Sequence, residues 1–313
     1  MRRLRPLAAV LLAGLAIALT SGCVASAERG GDVSGRQVRV TTTANFITDL
    51  AREIGGDRVE VSGLLGPGVD PHLYKASARD VQALRDADII LYGGLDLEGR
   101  MADLLEELSA RKPAVAVTRD MPASRLRTPS QFEGKYDPHV WFSVPLWRSA
   151  ATTTAEALAA LDPGSAGDYR RRARDYIARL DDLDAYARGR IDAIPERSRV
   201  LITSHDAFGY LGREYGLDVV AIQGLSTQTE ATTADVERVA AIVAERGVKA
   251  VFVESAVSPQ TIDAVLAAAE RRGQTARVGG ELYADAAGDD GTPEGTYIGM
   301  VRHNVDLIAE GLR

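Results

Sequence analysis

Cysteine is almost absent: Cys23 is the only one in 313 residues. A lone thiol has no partner, so a disulfide framework is excluded. There is no excess of positive charge either, since 37 Lys and Arg face 44 Asp and Glu for a net charge of −7, and nothing in that balance points to nucleic acid. Beyond the first two dozen residues no run is apolar enough to cross a membrane. Histidine is scarce as well, with four in the chain, and the His-Glu-x-x-His pattern of a zinc protease helix does not occur.

The amino terminus is a targeting signal. Arg2, Arg3 and Arg5 form a basic head, Leu7 to Leu19 is an apolar stretch too short to span a bilayer, and small residues follow. The "LTSGC" that closes residues 1–23 resembles a bacterial lipobox, in which Cys23 becomes the lipidated first residue. It departs from that pattern at Thr20, where leucine is usual and Leu19 stands one place further out. Residues 24–36, opening "VASAERGGDVSG", have the small, polar composition expected of a flexible tether.

The remainder alternates. "QVRVTTT", "RVEVSGLL", "DIILYGG" and "AVAVT" have strand spacing, while "FITDLAREIGG", "SARDVQALRDA" and "GRMADLLEELSA" between them have helical spacing. Such alternation predicts a parallel, doubly wound sheet. The pattern breaks at "PLWRSAATTTAEALAALD", one helix, followed by a longer helix from about Ala166 to Ile194 that Pro195 ends. Tyr169, Ala173, Tyr176, Leu180, Leu183, Ala187, Ile191 and Ile194 recur there at intervals of three and four, forming one apolar stripe. Alternation resumes from "RVLITS" to a last helix in "GTYIGMVRHNVDLIAEGL". The predicted fold is therefore α/β, with doubly wound lobes over residues 37–142 and 198–313 and a helical connection over 143–197.

On that map His72 lies in the loop "GPGVDPHLYK" after the second strand. His139 lies in "YDPHVWF" where the first lobe ends, and His205 in "LITSHDAFGYL" directly after the first strand of the second lobe. Open parallel sheets bind ligands beyond the carboxyl ends of their strands, and imidazoles delivered there from separate segments suggest a metal. A carboxylate from "GGELYADAAGDDG" would complete the set, and spacing does not choose among Glu281, Asp285, Asp289 and Asp290. His303, inside the last helix, lacks this context and reads as a packing or surface residue. Asp70, Asp137, Asp206, Glu230 and Glu254 lie near ligands or strand ends, where they would either support the rings or serve as solvated charge and helix caps, Asp206 in particular as a cap of "AFGYLGREYG".

"GVDPHLYKASARDVQALRDADIILYGGLDLE", "YDPHVWF", "TSHDAFGYLGREYGLDVVAIQGLSTQTEAT", "VFVES" and "GGELYADAAGDDGTPEGTYIGMVRHN" resemble, in order, the signatures of the zinc and manganese solute-binding proteins of bacterial ABC transporters. The resemblance covers nearly all the mature chain. It implies a C-clamp receptor whose lobes, joined by a rigid backbone helix, grip one divalent ion per chain and feed it to a membrane permease; the stiffness of that helix should keep any closure small. It also implies the ligand set His72 and His139 from the first lobe, His205 and Asp285 from the second. Three neutral imidazoles and a carboxylate suit tetrahedral Zn²⁺, and a bidentate Asp285 would admit Mn²⁺. Manganese-selective relatives often carry glutamate where this chain has His205, whereas many zinc-specific ones carry a histidine-rich loop where this chain has "ASRLRTPSQFEGKY"; the two comparisons point in opposite directions. Expected with this reading are a monomer without enzymatic activity, in the periplasm or lipid-anchored on the outer face of the cytoplasmic membrane, and a metal affinity that falls below about pH 6 as the imidazoles take up protons. The rival readings are a secreted zinc-dependent hydrolase with Asp285 as base and a surface adhesin of the same fold.

Overall fold

Strands of β-branched and aliphatic residues, each followed by a helix with one apolar face, build the first half of the chain. In the computed structural model, which describes residues 33–129, 132 and 134–313, these are β1 (Val38–Thr42), α1 (Asn45–Gly55), β2 (Val59–Gly63), α2 (Ala78–Asp86), β3 (Ile89–Tyr92), α3 (Ala102–Ser109) and β4 (Ala114–Ala116). The four strands form one parallel sheet in the order β2-β1-β3-β4. Ser77 starts α2 with a capping box, its hydroxyl accepting from the Asp80 N–H while the Asp80 carboxylate takes the Ser77 N–H. The expected helix at "GRMADLLEELSA" begins as a short 3₁₀ turn, Gly99–Met101, before α3 proper.

Two helices follow, α4 (Val144–Leu161) and α5 (Ala166–Asp192). Ser143 caps α4, and Pro145 in its first turn gives up no intrahelical bond. The 27 residues of α5 extend about 40 Å at ~1.5 Å each, and its buried residues are the predicted stripe from Tyr169 to Ile191. It packs on α1, α4 and two elements of the second lobe, α6 (Gly209–Tyr215) and α9 (Tyr297–Gly311). One hydrophobic cluster accordingly runs without a break from Val38 and Phe46 in the first lobe, through Tyr176 and Leu183, to Phe252, Leu282 and Val305 in the second.

The second lobe repeats the alternation with β5 (Val200–His205), β6 (Asp218–Gln223), α7 (Thr233–Arg246), β7 (Ala250–Glu254), α8 (Gln260–Arg271) and β8 (Arg277–Leu282), besides α6 and α9. Its strands are all parallel, but instead of one continuous sheet they make two ladders, β5–β6 and β7–β8, with β5 packed beside β7. Helices α6 and α7 each stop at a left-handed glycine, Gly216 (φ 77°) and Gly247 (φ 63°), the conformation a residue with a Cβ adopts only at a cost.

The expected signal peptide, Cys23 and most of the expected tether lie outside the described residues. Where the tether enters them it differs from expectation. Val33 is buried in the shared core, and Arg36 holds Asp88 with contacts of 2.5 and 2.9 Å, so an apolar side chain and an ion pair fix residues that composition alone marks as free. No helix among the described residues is long and apolar enough to cross a membrane.

Candidate metal centre

Each ligand candidate sits where a strand or turn gives out. His72 is in the loop between β2 and α2, His139 immediately precedes the short turn Val140–Phe142 that leads into α4, His205 is the last residue of β5, and Asp285 is in the loop after β8. Asp70 shapes the first of these by accepting the His72 N–H at 2.8 Å, and Asp137 shapes the second by accepting the His139 N–H at 2.9 Å. All four residues are buried, at most 1% exposed, and one potential ligand atom from each lies within 4.8 Å of the others.

The distances have a specific meaning. His72 Nε2 is 3.3 Å from His139 Nε2 and 3.4 Å from Asp285 Oδ2; His205 Nε2 is 3.3 Å from Asp285 Oδ2; His139 Nε2 is 3.4 Å from Asp285 Oδ1. Donors held tetrahedrally about 2.0 to 2.1 Å from a common centre stand about 3.3 to 3.4 Å apart. Moreover His205 Nε2 and both oxygens of Asp285 are buried with no hydrogen-bond partner among the described residues. Orphaned buried groups of this polarity are costly, and a cation at the point they face would satisfy all of them. The donor set therefore fits a divalent transition metal.

Behind the donors, two rings are held by carboxylates. His139 Nδ1 donates to Asp137 Oδ1 at 2.8 Å, and Asp137 is itself paired with Arg127 at 2.5 Å. His205 Nδ1 donates to Glu254 Oε2, while Glu254 Oε1 accepts the N–H groups of Ser204 and His205 at 2.8 and 3.0 Å. An Nδ1 proton held in this way leaves Nε2 as the free lone pair aimed at the centre. His72 differs, because none of the described hydrogen bonds reaches its Nδ1. Its loop is instead held from across the cleft, where Thr227 donates to Asp70 at 2.5 Å and Gln228 to the His72 carbonyl at 3.4 Å.

This arrangement separates the three rings electrically. Burial pushes His72 down to about 3 against the pull of Asp285. Burial acts in the same direction on His139, but the Asp137 hydrogen bond and the charge of Asp285 outweigh it and lift the ring to about 9. His205 is raised well above the ordinary range, burial being overcome by the charges of Glu254 and Asp285. Asp285 is held well below the usual carboxylate range, burial being overcome chiefly by the charge of His205. Without a cation, the centre is a carboxylate compensated by imidazolium protons.

Of the supporting residues expected from sequence, Asp137 and Glu254 reach ring nitrogens and Asp70 reaches the His72 backbone. Glu230 does not join them: it is exposed in the segment after β6, and none of the described hydrogen bonds links it to a ring. Asp206 is half-buried and does not cap α6, whose start has no side-chain cap. The other carboxylate candidates, Glu281 near the end of β8 and Asp289 and Asp290 in the loop after it, are exposed. His303 lies away from the centre, with Nε2 3.1 Å from the Glu281 carbonyl and its ring against Tyr283. Thr227, Gln228, Arg127 and Trp141, whose ring packs 5.1 Å from that of His139, escaped the sequence reading. For Arg127 and Trp141 the available signal was closeness in sequence to "YDPH", and for Thr227 and Gln228 it was only their place in the motif that ends "GLSTQTEAT". A cavity of about 980 Å³ lies elsewhere, lined by Arg127, Arg213, Gln223 and Arg238 and by none of the four donors.

Comparison with known proteins agrees with this geometry. The chain is 45% identical over 308 residues, 98% of each chain, to the manganese-binding lipoprotein MntA of Bacillus subtilis (strain 168). It is 42% identical over 312 residues, 100% of this chain and 99% of the other, to the zinc-binding protein TroA of Treponema pallidum (strain Nichols). The solved structure of the periplasmic zinc-binding protein TroA from Treponema pallidum superposes with a TM-score of 0.86 at 43% identity, covering 88% of this chain and 99% of that one. The family model described as zinc-uptake complex component A, periplasmic, matches residues 40–311, and the chain belongs to that family.

Proposed function

We propose that the protein captures one divalent transition-metal ion outside the cytoplasm and delivers it to the membrane permease of an ABC importer. His72, His139, His205 and Asp285 are the ligands, and the ion is cargo rather than a resident cofactor. The observation that carries this reading is the set of buried donor atoms without a hydrogen-bond partner among the described residues, His205 Nε2 and both Asp285 oxygens, facing two further imidazole nitrogens. The protein is a receptor and not an enzyme. A hydrolytic zinc keeps one position open to water and substrate, whereas these four donors are buried and the 980 Å³ cavity is lined by other residues.

Zn²⁺ is the favoured ion, because three neutral imidazoles and donor spacings of 3.3 to 3.4 Å suit it. Mn²⁺ is the second, because both Asp285 oxygens face ring nitrogens and a bidentate carboxylate supplies the oxygen that this harder ion prefers. The relatives divide in the same way, one named for manganese and one for zinc. Delivery is by a monomer, lipid-anchored through Cys23 to the outer face of the cytoplasmic membrane or held in the periplasm; a relative named as a lipoprotein over 98% of its length supports the anchor. Native mass spectrometry of metal-stripped protein offered Zn²⁺ and Mn²⁺ together tests the reading. One ion per chain is expected, with zinc in excess, and none on Asp285→Ala; wild-type protein that emerges bare refutes it.

A further inference from the structure

Asp285 is the candidate ligand with the least to aim it. Among the described residues its oxygens face the three candidate ligand rings at 3.3 to 3.4 Å and hydrogen-bond to nothing outside the donor set, so the direction of the carboxylate depends on the backbone on either side of it. That backbone is pinned from its own lobe by Asn304 of α9, whose Oδ1 accepts the Tyr283 N–H at 2.9 Å and whose Nδ2 donates to the Tyr283 carbonyl at 2.7 Å, and at two further points from the first lobe. Trp141, fully buried ahead of α4, donates its indole N–H to the Ala284 carbonyl at 3.0 Å. Asn45, the first residue of α1, grips Ala287 from the other side: its Oδ1 accepts the Ala287 N–H at 2.8 Å, and its Nδ2 donates to the Ala287 carbonyl at 2.9 Å and toward that of Gly288 at 3.5 Å.

The N-cap of α1 is Ala44, and Asn45 is the first helical residue, one place inside the position at which an asparagine caps. Helix α1 begins without any side-chain cap, and the Asn45 amide is used on the opposite lobe. We propose that Asn45 is a positioning residue for metal binding, docking the Asp285 loop onto the first lobe so that the carboxylate meets the ion with both oxygens. The inference deepens the metal-receptor reading and rests on it. It also makes Asn45 a specificity determinant. Asp285 supplies the only oxygen donors of the set, and Mn²⁺ depends on oxygen more than Zn²⁺ does. A carboxylate that loses its bearing therefore costs manganese more than zinc.

The test compares wild type, Asn45→Ala, Asn45→Asp and Arg52→Gln, each titrated with Zn²⁺ and with Mn²⁺ against a competing chelator, with the melting temperature of the metal-free protein recorded alongside. Arg52→Gln is the control, because it removes the neighbouring exposed inter-lobe ion pair with Asp290 and leaves the Ala287 pin intact. Asn45→Ala is expected to weaken Mn²⁺ by about 10- to 100-fold, as loss of an outer support does, and Zn²⁺ by less. Asn45→Asp, which keeps an acceptor for the Ala287 N–H but loses both donors, falls between, and Arg52→Gln matches wild type. Wild-type affinity for both ions in Asn45→Ala overturns the proposal, as does an equal loss for both, which is the mark of general loosening. Wild-type protein that binds neither ion overturns the receptor reading itself, a separate outcome.

Discussion

Metal uptake by this centre should expel two protons, and the pH dependence of affinity is the way to see it. His139 titrates at about 9 and His205 is also raised, each ring lying between Asp285 on one side and a carboxylate, Asp137 or Glu254, on the other. His72, at about 3, is already neutral. At pH 7 a ring with a pKa near 9 is neutral in about 1% of molecules, so freeing its Nε2 for a metal costs on the order of 3 kcal/mol. Every displaced proton makes apparent affinity rise about tenfold per pH unit, and two give about a hundredfold per unit between pH 6 and 8. The slope should shrink as pH passes 9. Chelator-competition titrations with Zn²⁺ across this range measure the slope, and calorimetry at pH 7 in two buffers of different ionisation enthalpy counts the protons directly. Ordinary imidazoles near 6.5 would instead give an affinity that is flat above pH 7.5 and no proton release there, and that result would refute the account. The structure thus moves the pH window upward from the threshold near pH 6 that the residue types alone imply. Stability follows the same sign. A raised folded pKa contributes stability that is complete below the unfolded value of about 6.5 and is lost as pH rises through about 9. The metal-free protein should therefore lose melting temperature from pH 7.5 to 9.5, and the loaded protein should not.

Other outcomes follow from single side chains. Glu254→Gln still accepts the Ser204 and His205 N–H groups but removes the charge that sustains the His205 proton, so Zn²⁺ should bind about 10- to 100-fold more weakly and with one proton fewer released, read by the same calorimetry. Asp285→Ala should abolish retention of either ion through a desalting column, with circular dichroism unchanged. Leu183→Ala, a fully buried deletion on α5, should cost about 2 to 5 kcal/mol in denaturant unfolding while leaving the proton count on metal binding at two.

Sequence carried the frame well, because strand and helix periodicities are local and every α/β alternation in the chain appears as an element. The α5 stripe is the clearest case, its buried positions being those that the three-and-four spacing marks. The three histidines, which folding brings together with Asp285, stand out in the sequence because the ends of parallel strands are places with a known use. What escaped depends on contacts between distant segments. Asn45 lies 242 positions from Ala287, and nothing around it in sequence announces that partner. Glu230 and Glu254 both lie beyond aliphatic runs, Glu254 directly after one and Glu230 several polar residues further on. Only folding shows that Glu254 is the last residue of β7, buried beside His205, while the chain has already left β6 when it reaches Glu230. Val33 was misread for a related reason, since one apolar residue among glycines and serines gives no periodic signal.

The unbroken hydrophobic cluster that joins both halves through α5 has a consequence for folding. Neither half keeps a complete interior if the chain is cut between them, since Tyr176 and Leu183 would lose their facing residues on one side or the other. The lobes are architectural units and not independent cooperative ones. Heating should melt them in a single calorimetric transition, and an isolated half should collapse into a loose, dye-binding state without a sharp transition of its own.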